Sequence, residues 1–132
     1  MQDSKLIKNI SDLPAKSRQR FKIYVNSPYF NQHENTIALL DYIYKHLDTN
    51  PKKLSRELVF KKLYPKEEYS EQLLFNTMSS LKKLLHGFLA QQRYEEQDFK
   101  EDLFLLEATY YNNQFDLLKN RAKQLERNIS NH

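Results

Sequence analysis

Residues 70–92 read SEQLLFNTMSSLKKLLHGFLAQQ and carry the strongest periodic signal in the 132-residue chain. The apolar residues that recur at alternating spacings of four and three are Leu74, Met78, Leu81, Leu85 and Phe88, and Leu73, Leu84 and Leu89 widen the stripe. Such spacing places apolar side chains on one face of an α-helix. Ser70 is a suitable N-cap. The segment therefore predicts an amphipathic central helix against which the rest of the chain packs.

The composition also favours helices. The chain has one glycine and four prolines, which disfavours a sheet rich in tight hairpins. It has no cysteine, which excludes disulfides, thiolate zinc sites and cysteine nucleophiles. We expect an all-α fold, a single domain of about six helices.

Further helices are predicted on both sides of the central one. Their expected ranges are residues 15–25, residues 32 or 35 to 47, residues 56–64, residues 99–110 and residues 115–129. The first of these is ambiguous, because Phe21, Ile23 and Val25 also alternate as in a strand. We prefer a helix, since nothing nearby could pair with a strand. For residues 56–64 we expect Ser55 as the N-cap and burial of Leu58, Val59 and Leu63. For residues 99–110 we expect a buried stripe of Phe99, Leu103, Leu106 and Tyr110.

Charge is distributed unevenly along the chain. Residues 1–93 contain sixteen Lys or Arg and nine Asp or Glu, a net charge of +7, whereas residues 94–132 have a net charge of −3. We predict a basic helical core domain over residues 1–93 and, packed on it, a helical hairpin over residues 94–132 that begins with acidic residues. A positive field attracts nucleic acid or acidic protein surfaces, although solvated charge on helix faces is the commoner explanation.

The order of elements around the central helix is typical of a helix-turn-helix. The short helix at residues 56–64 is followed by a polar link and then by the central helix, and the predicted helical hairpin comes next in the sequence. The solvent side of the central helix carries residue types that contact phosphates and base edges in DNA complexes. These candidate nucleic-acid contacts are Asn76, Ser79, Ser80, Lys82, Lys83 and His86. Any amphipathic helix on a basic protein shows a similar face, and residues 93–98 lack the composition of a wing hairpin.

Two aromatic pairs are candidates for binding a protein partner. Tyr29 and Phe30 follow Pro28 in a predicted turn, where they either fill a gap between helices or contact a partner. Tyr110 and Tyr111 precede the predicted helix break at residues 112–113.

Residues 108–118, ATYYNNQFDLL, resemble the middle of a tetratricopeptide repeat, a unit that needs stacked neighbours. The hairpin could thus be the first unit of a longer helical array. With Leu58, residues 63–65 (LYP) and residues 80–85 (SLKKLL), the chain is also similar to bacterial activators that join a winged helix to helical repeats. That resemblance implies DNA binding.

A second resemblance covers most of the chain. The residues that carry it are Phe21, residues 24–31 (YVNSPYFN), Leu54, Leu58, Phe60, residues 63–65 and Tyr69. They resemble the N-terminal part of an uncharacterised helical protein family of Bacteroidota. The resemblance implies a longer parent protein with further C-terminal helices, and it implies no known activity.

Catalytic motifs are not evident. His33-Glu34 begins like a zinc-binding helix motif, but Ile37 stands where the second histidine is needed. Gly87 alone cannot form a phosphate loop; we expect it to let another helix approach closely, with a local kink as the alternative. We predict no enzymatic activity, cofactor, metal or small-molecule substrate. Residues 1–13 have no signal-like apolar run and no segment approaches a membrane span, so we expect a cytoplasmic protein without a membrane partner.

The sequence leaves two hypotheses of function. The first is a non-enzymatic helical protein–protein interaction module, which buries a partner segment in a helical groove while basic residues guide an acidic partner. The partner could also be a second copy of the chain. The second hypothesis is a helix-turn-helix-like DNA-binding domain of a transcriptional regulator.

Overall fold

The computed structural model describes residues 4–112, 123–124 and 126–127. Those residues contain six α-helices, one 3₁₀ turn and no strand. The helices are α1 (Lys5–Ser11), α2 (Ala15–Asn26), α3 (Glu34–His46), α4 (Arg56–Leu63), α5 (Glu71–Glu95) and α6 (Asp98–Tyr111), and the 3₁₀ turn is Pro51–Leu54. The predicted all-α fold is confirmed, including the helix rather than a strand at α2. The resemblance to a helix-turn-helix and to a tetratricopeptide repeat stays a prediction.

Helix α1 was not anticipated from the sequence. Ser4 caps it, because the Ser4 Oγ accepts a hydrogen bond of 3.2 Å from the backbone N–H of Ile7. Its buried residues are Leu6, Ile7 and Ile10. Seven residues span only two turns, so the apolar period repeats too few times to stand out in the sequence.

The predicted caps of α4 and α5 are present, but parts of their predicted buried faces are wrong. Leu58 is 44% exposed, and Phe60 is buried in its place, beside Val59 and Leu63. Leu89 of α5 is 41% exposed. It follows the buried Phe88 directly, and one step along a helix rotates the side chain by about 100°.

Contacts divide the chain into two compact units, Met1–Phe88 and Leu89–His132, with the boundary inside α5. The core of the first unit contains side chains from α1 to α5. Those with no exposed surface include Ile10, Phe21, Val25, Leu39, Leu40, Ile43, Leu54, Val59, Leu74 and Leu81. This core fixes the positions of the loops and of the α5 face described below.

In the second unit, the buried face of α6 overlaps the predicted one only at Leu106, which is half-buried. The other predicted residues, Phe99, Leu103 and Tyr110, are 59%, 42% and 67% exposed. The buried residues are Asp102 and Thr109. Thr109 can be buried because its hydroxyl donates to the Leu105 carbonyl at 2.7 Å. The helix ends at the predicted break, and the helix predicted at residues 115–129 falls almost wholly outside the described residues.

Candidate functional site

A groove separates the α2–α3 loop from α5 in the unit Met1–Phe88. Its main part has a volume of about 420 Å³. It is lined by Tyr24, Pro28, Tyr29, Phe30, Asn31, Gln32, His33, Ser80, Lys83 and Leu84. A second cavity of about 160 Å³ shares His33 and Ser80 and extends to Tyr64 and Thr77. We refer to the two together as the α5 groove.

The loop that forms one wall begins with a tight turn. Pro28 follows Ser27, whose carbonyl accepts hydrogen bonds from the N–H groups of Phe30 at 3.1 Å and Asn31 at 2.9 Å. Proline favours such a turn because its ring fixes φ. The turn leaves Tyr29 at its outermost point.

Asn31 holds the rest of this loop from inside. Its Nδ2 donates to the Val25 carbonyl at 2.9 Å and to the His33 carbonyl at 3.4 Å. Its Oδ1 accepts from the N–H of His33 at 3.1 Å and from the Thr36 hydroxyl at 3.5 Å. A buried amide with both of its ends bonded in this way fixes the end of α2, the loop and the start of α3.

The two rings of the first predicted partner-binding pair differ in exposure. Phe30 is 43% exposed and stacks on Tyr24 with ring centroids 4.2 Å apart. Tyr29 is 90% exposed, and its ring stands at 86° to the Phe30 ring with the centroids 5.0 Å apart. Tyr29 therefore does not fill a gap between helices. It stands at the rim of the α5 groove.

Gly87 explains how Tyr24 reaches its position. A Cβ atom on Gly87 would lie 2.7 Å from the Tyr24 hydroxyl oxygen, closer than packed atoms approach. Gly87 thus leaves room for a side chain of α2, whereas the close approach of another helix that we expected at Gly87 stays a prediction. The Tyr24 ring also packs edge-on against Phe88 at 5.6 Å, which completes an aromatic layer beneath Phe30.

The six predicted nucleic-acid contacts do not form one site around the α5 groove. Ser80 and Lys83 line its main part, and Asn76 and Ser80 line the second cavity. The other candidates, Ser79, Lys82 and His86, are exposed and outside both cavities. The structure therefore combines members of two predicted sets, because Ser80 and Lys83 share a groove with Tyr29 and Phe30.

The α5 side of the groove is positive. Helix α5 has no acidic side chain between Glu71 and Glu95. Within the described part of the chain, neither Lys82 nor Lys83 forms an ion pair, and no acidic residue lines the groove. Lys83 is therefore a cation at the groove wall that this part of the chain does not neutralise.

The second predicted partner-binding pair lies in the other unit. Tyr110 and Tyr111, at the end of α6, are 67% and 79% exposed, and their rings meet edge to face at 5.7 Å. The pair is exposed to solvent, and neither tyrosine lines either of the two cavities described above.

Several groove residues were not singled out from the sequence as site residues. They are Tyr24, Asn31, Gln32 and His33. The sequence feature that could have indicated them is the turn at Ser27-Pro28, because a turn fixes the position of the residues that follow it.

No group of three or more His, Cys, Asp or Glu side chains able to hold a metal ion occurs in the described ranges. Within the same ranges, no helix combines the length and apolarity needed to cross a membrane. Comparisons of the chain with protein-family models, with curated proteins and with solved structures gave no match.

Proposed function

We propose that the protein is a non-enzymatic helical module that binds a protein partner through the α5 groove, with Tyr29 as the main contact at its rim. The observation that supports this most is the 90% exposure of Tyr29 on a loop held internally by Asn31. Tyrosine is among the residues that contribute most binding energy at protein interfaces. A cytoplasmic location and the absence of a cofactor, a metal and a small-molecule substrate are parts of the same proposal.

The rigidity of the loop supports this function. Because Asn31 bonds Val25, His33 and Thr36, the loop is already ordered before a partner arrives. A preformed surface loses less conformational entropy on binding than a mobile loop does. Tyr29 itself has few rotatable bonds, so its immobilisation costs little.

A quantitative pull-down tests the proposal. The wild-type protein, Tyr29→Ala and the double variant Tyr110→Ala/Tyr111→Ala are used to capture proteins from an extract of cells that contain the protein naturally. We expect one or more proteins that the wild type and the double variant retain and that Tyr29→Ala retains about tenfold less. Loss only in the double variant would place binding on α6 instead. Capture of no protein above background by the wild type would contradict the proposed function.

A second copy of the chain is the competing partner. Sedimentation velocity distinguishes the two cases, because a self-associating chain has a solution mass above 16.0 kDa. If the mass rises with concentration and Tyr29→Ala prevents the rise, the groove binds another copy of the protein rather than a different partner.

DNA binding through α5 is the second candidate function. The observation that favours it is the exposed pair Lys82 and Lys83, neither of which pairs with an acid in the described part of the chain. The connection between α4 and α5 argues against it. That connection covers residues 64–70, whereas a helix-turn-helix has a turn of about 3–4 residues.

Fluorescence polarisation with random duplex DNA at about 50 and 200 mM salt separates the two functions. DNA binding through these lysines would appear at low salt, fall steeply at high salt and vanish in Lys82→Glu/Lys83→Glu. We expect no such binding. Salt-sensitive binding that the double variant loses would make the DNA-binding function the leading one.

We also propose kinship with the Bacteroidota family that residues 24–31 resemble. Two features of the structure support giving weight to this motif. Its Asn31 is the buried centre of the loop, and its Val25 is fully buried in the core. Burial of Asn31 and Val25 limits which side chains can occupy these two positions.

A further inference from the structure

We infer that the α5 groove takes an extended segment of the partner in which one carboxylate pairs with Lys83 and a neighbouring apolar or aromatic side chain packs on Tyr29 and Phe30. This inference rests on the proposed function and specifies the chemistry of the partner. It combines three observations: the charge of the groove wall, the exposed rings at its rim and the volumes of its two parts.

Charge identifies the first element of the segment. Lys83 lines the main part of the groove, and no Asp or Glu of the described residues lines either part. The opposite wall is the loop at residues 27–33, which contains no Asp or Glu. A carboxylate that enters the groove meets an ammonium group and no competing acid, which is the condition for electrostatic complementarity.

The rings identify the second element. One face of Phe30 is already stacked on Tyr24, whereas the Tyr29 ring stands nearly perpendicular to Phe30 and is 90% exposed. An apolar or aromatic side chain can pack against Tyr29 and the remaining edge of Phe30. Tyr29 has the highest exposed fraction of the aromatic side chains described in the unit Met1–Phe88, and binding would remove its ring from water.

The volumes favour an extended segment over a helix. The main part holds about 420 Å³, within the range of about 300–1,000 Å³ for ligand sites. The second cavity, at about 160 Å³, lies beside it, and His33 and Ser80 line both. A helix is about 10 Å wide with its side chains, whereas an extended chain places successive side chains into adjacent depressions.

A polyanion fits the groove less well than a single carboxylate does. A nucleic-acid strand carries one negative charge about every 3.4 Å, so several phosphates would lie along the two cavities. Lys83 is the only Lys or Arg among the described residues that line them. One cation matches one carboxylate.

Selection from a library of random displayed peptides tests the inference. The protein forms used are the wild type, Lys83→Glu and, as a matched control, Lys61→Glu, which reverses an exposed charge on α4 away from the groove. Circular dichroism checks that all three remain folded. We expect wild-type selections to be enriched in peptides with Asp or Glu close to an aromatic or large apolar residue.

The affinity of a selected peptide then tests the pairing directly. We expect Lys83→Glu to weaken binding about tenfold, Lys61→Glu to leave it unchanged, and a peptide with its acid replaced by lysine to regain affinity for Lys83→Glu alone. Equal weakening by both variants, selected peptides without an acid, or no selected peptide at all would overturn the inference.

Partner capture that depends on Tyr29 would still support the proposed function in those cases, so the two failures are distinguishable. Binding of a labelled single-stranded oligonucleotide that Lys83→Glu abolishes would assign the groove to nucleic acid instead.

Discussion

Asn31 shows how a single buried polar residue can hold a surface loop in place. Its side chain replaces water for the Val25 carbonyl and for both backbone groups of His33. Without it, the Val25 carbonyl and the His33 N–H would each lose the hydrogen bond that Asn31 supplies, whereas the His33 carbonyl would keep the Thr36 hydroxyl at 3.0 Å. The loop that carries Tyr29 is thus held by a residue that itself is only 7% exposed.

We expect Asn31→Ala to lower the free energy of unfolding by about 2 kcal/mol, because it removes the hydrogen bonds that Asn31 supplies to the Val25 carbonyl and the His33 N–H. Asn35→Ala, at an exposed position on α3, is the matched control and should change stability by less than about 0.5 kcal/mol. Urea unfolding measures both. Equal effects of the two substitutions would mean that Asn31 does not hold the loop.

Gly87→Ala should have opposite effects in two backgrounds. In the wild type the new Cβ would lie 2.7 Å from the Tyr24 hydroxyl oxygen, so the ring must shift from its stack on Phe30 and stability should fall. In Tyr24→Phe the nearest remaining ring atom lies at 3.8 Å, an ordinary contact. There, alanine should stabilise the protein by about 0.5–1 kcal/mol, the usual gain over glycine within a helix. Thermal unfolding of the four proteins tests this, and the same sign in both backgrounds would contradict the packing described.

Tyr44 should make stability sensitive to alkali. Burial raises the pKa of Tyr44 from 10.0 to about 12, with nearby Arg18 opposing the change, and its hydroxyl donates to the Arg18 carbonyl at 2.8 Å. The folded state thus retains a proton that the unfolded state loses above about pH 10. Its contribution to stability should be complete below pH 10 and decline as the pH rises to about 12.

Urea unfolding of the wild type and Tyr44→Phe measures this contribution. The stability advantage of the wild type should be smaller at about pH 11 than at about pH 9, because only the wild type has this hydroxyl to ionise. The same advantage at both pH values would show that Tyr44 does not titrate in the way its burial implies.

At the scale of helices, the sequence predicted long elements better than short ones or their faces. Helix α5 repeats its apolar period over many turns, and Ser70 bonds the Leu73 N–H at 3.2 Å as a cap should. Helix α1 is too short for that signal. The predicted buried face of α6 was wrong at Phe99, Leu103 and Tyr110, because the side chains that α6 buries include Asp102 and Thr109, which hydrophobicity alone does not select.

Although α1 is short, its buried side chains make it part of the core. Ile10 has no exposed surface, so Ile10→Ala should lower the free energy of unfolding by about 2–4 kcal/mol through lost burial and a residual cavity. Lys8→Ala, on the exposed side of α1, should change it by less than about 0.5 kcal/mol. Denaturant unfolding of both variants provides the comparison. A small effect of Ile10→Ala would show that α1 contributes little to the fold.

At the scale of the molecule, the candidate site could be predicted only in separate parts. Tyr29 and Lys83 were each singled out from local patterns, but as members of different hypotheses. They line one groove because α2, α3 and α5 share a core, and the sequence does not reveal which helix faces pack together. Local chemistry was therefore readable in the sequence, whereas the grouping of residues required the tertiary structure.

Photo-cross-linking from position 29 tests the central claim most directly. Tyr29 is replaced by p-benzoylphenylalanine in cells that contain the protein naturally, and Lys61, an exposed residue on α4 outside the groove, receives the same replacement as a control. We predict that illumination links a defined protein to position 29 and not to position 61, and that adding Lys83→Glu reduces this product. If position 29 gives no more cross-linked protein than position 61, the α5 groove is not a protein-binding site.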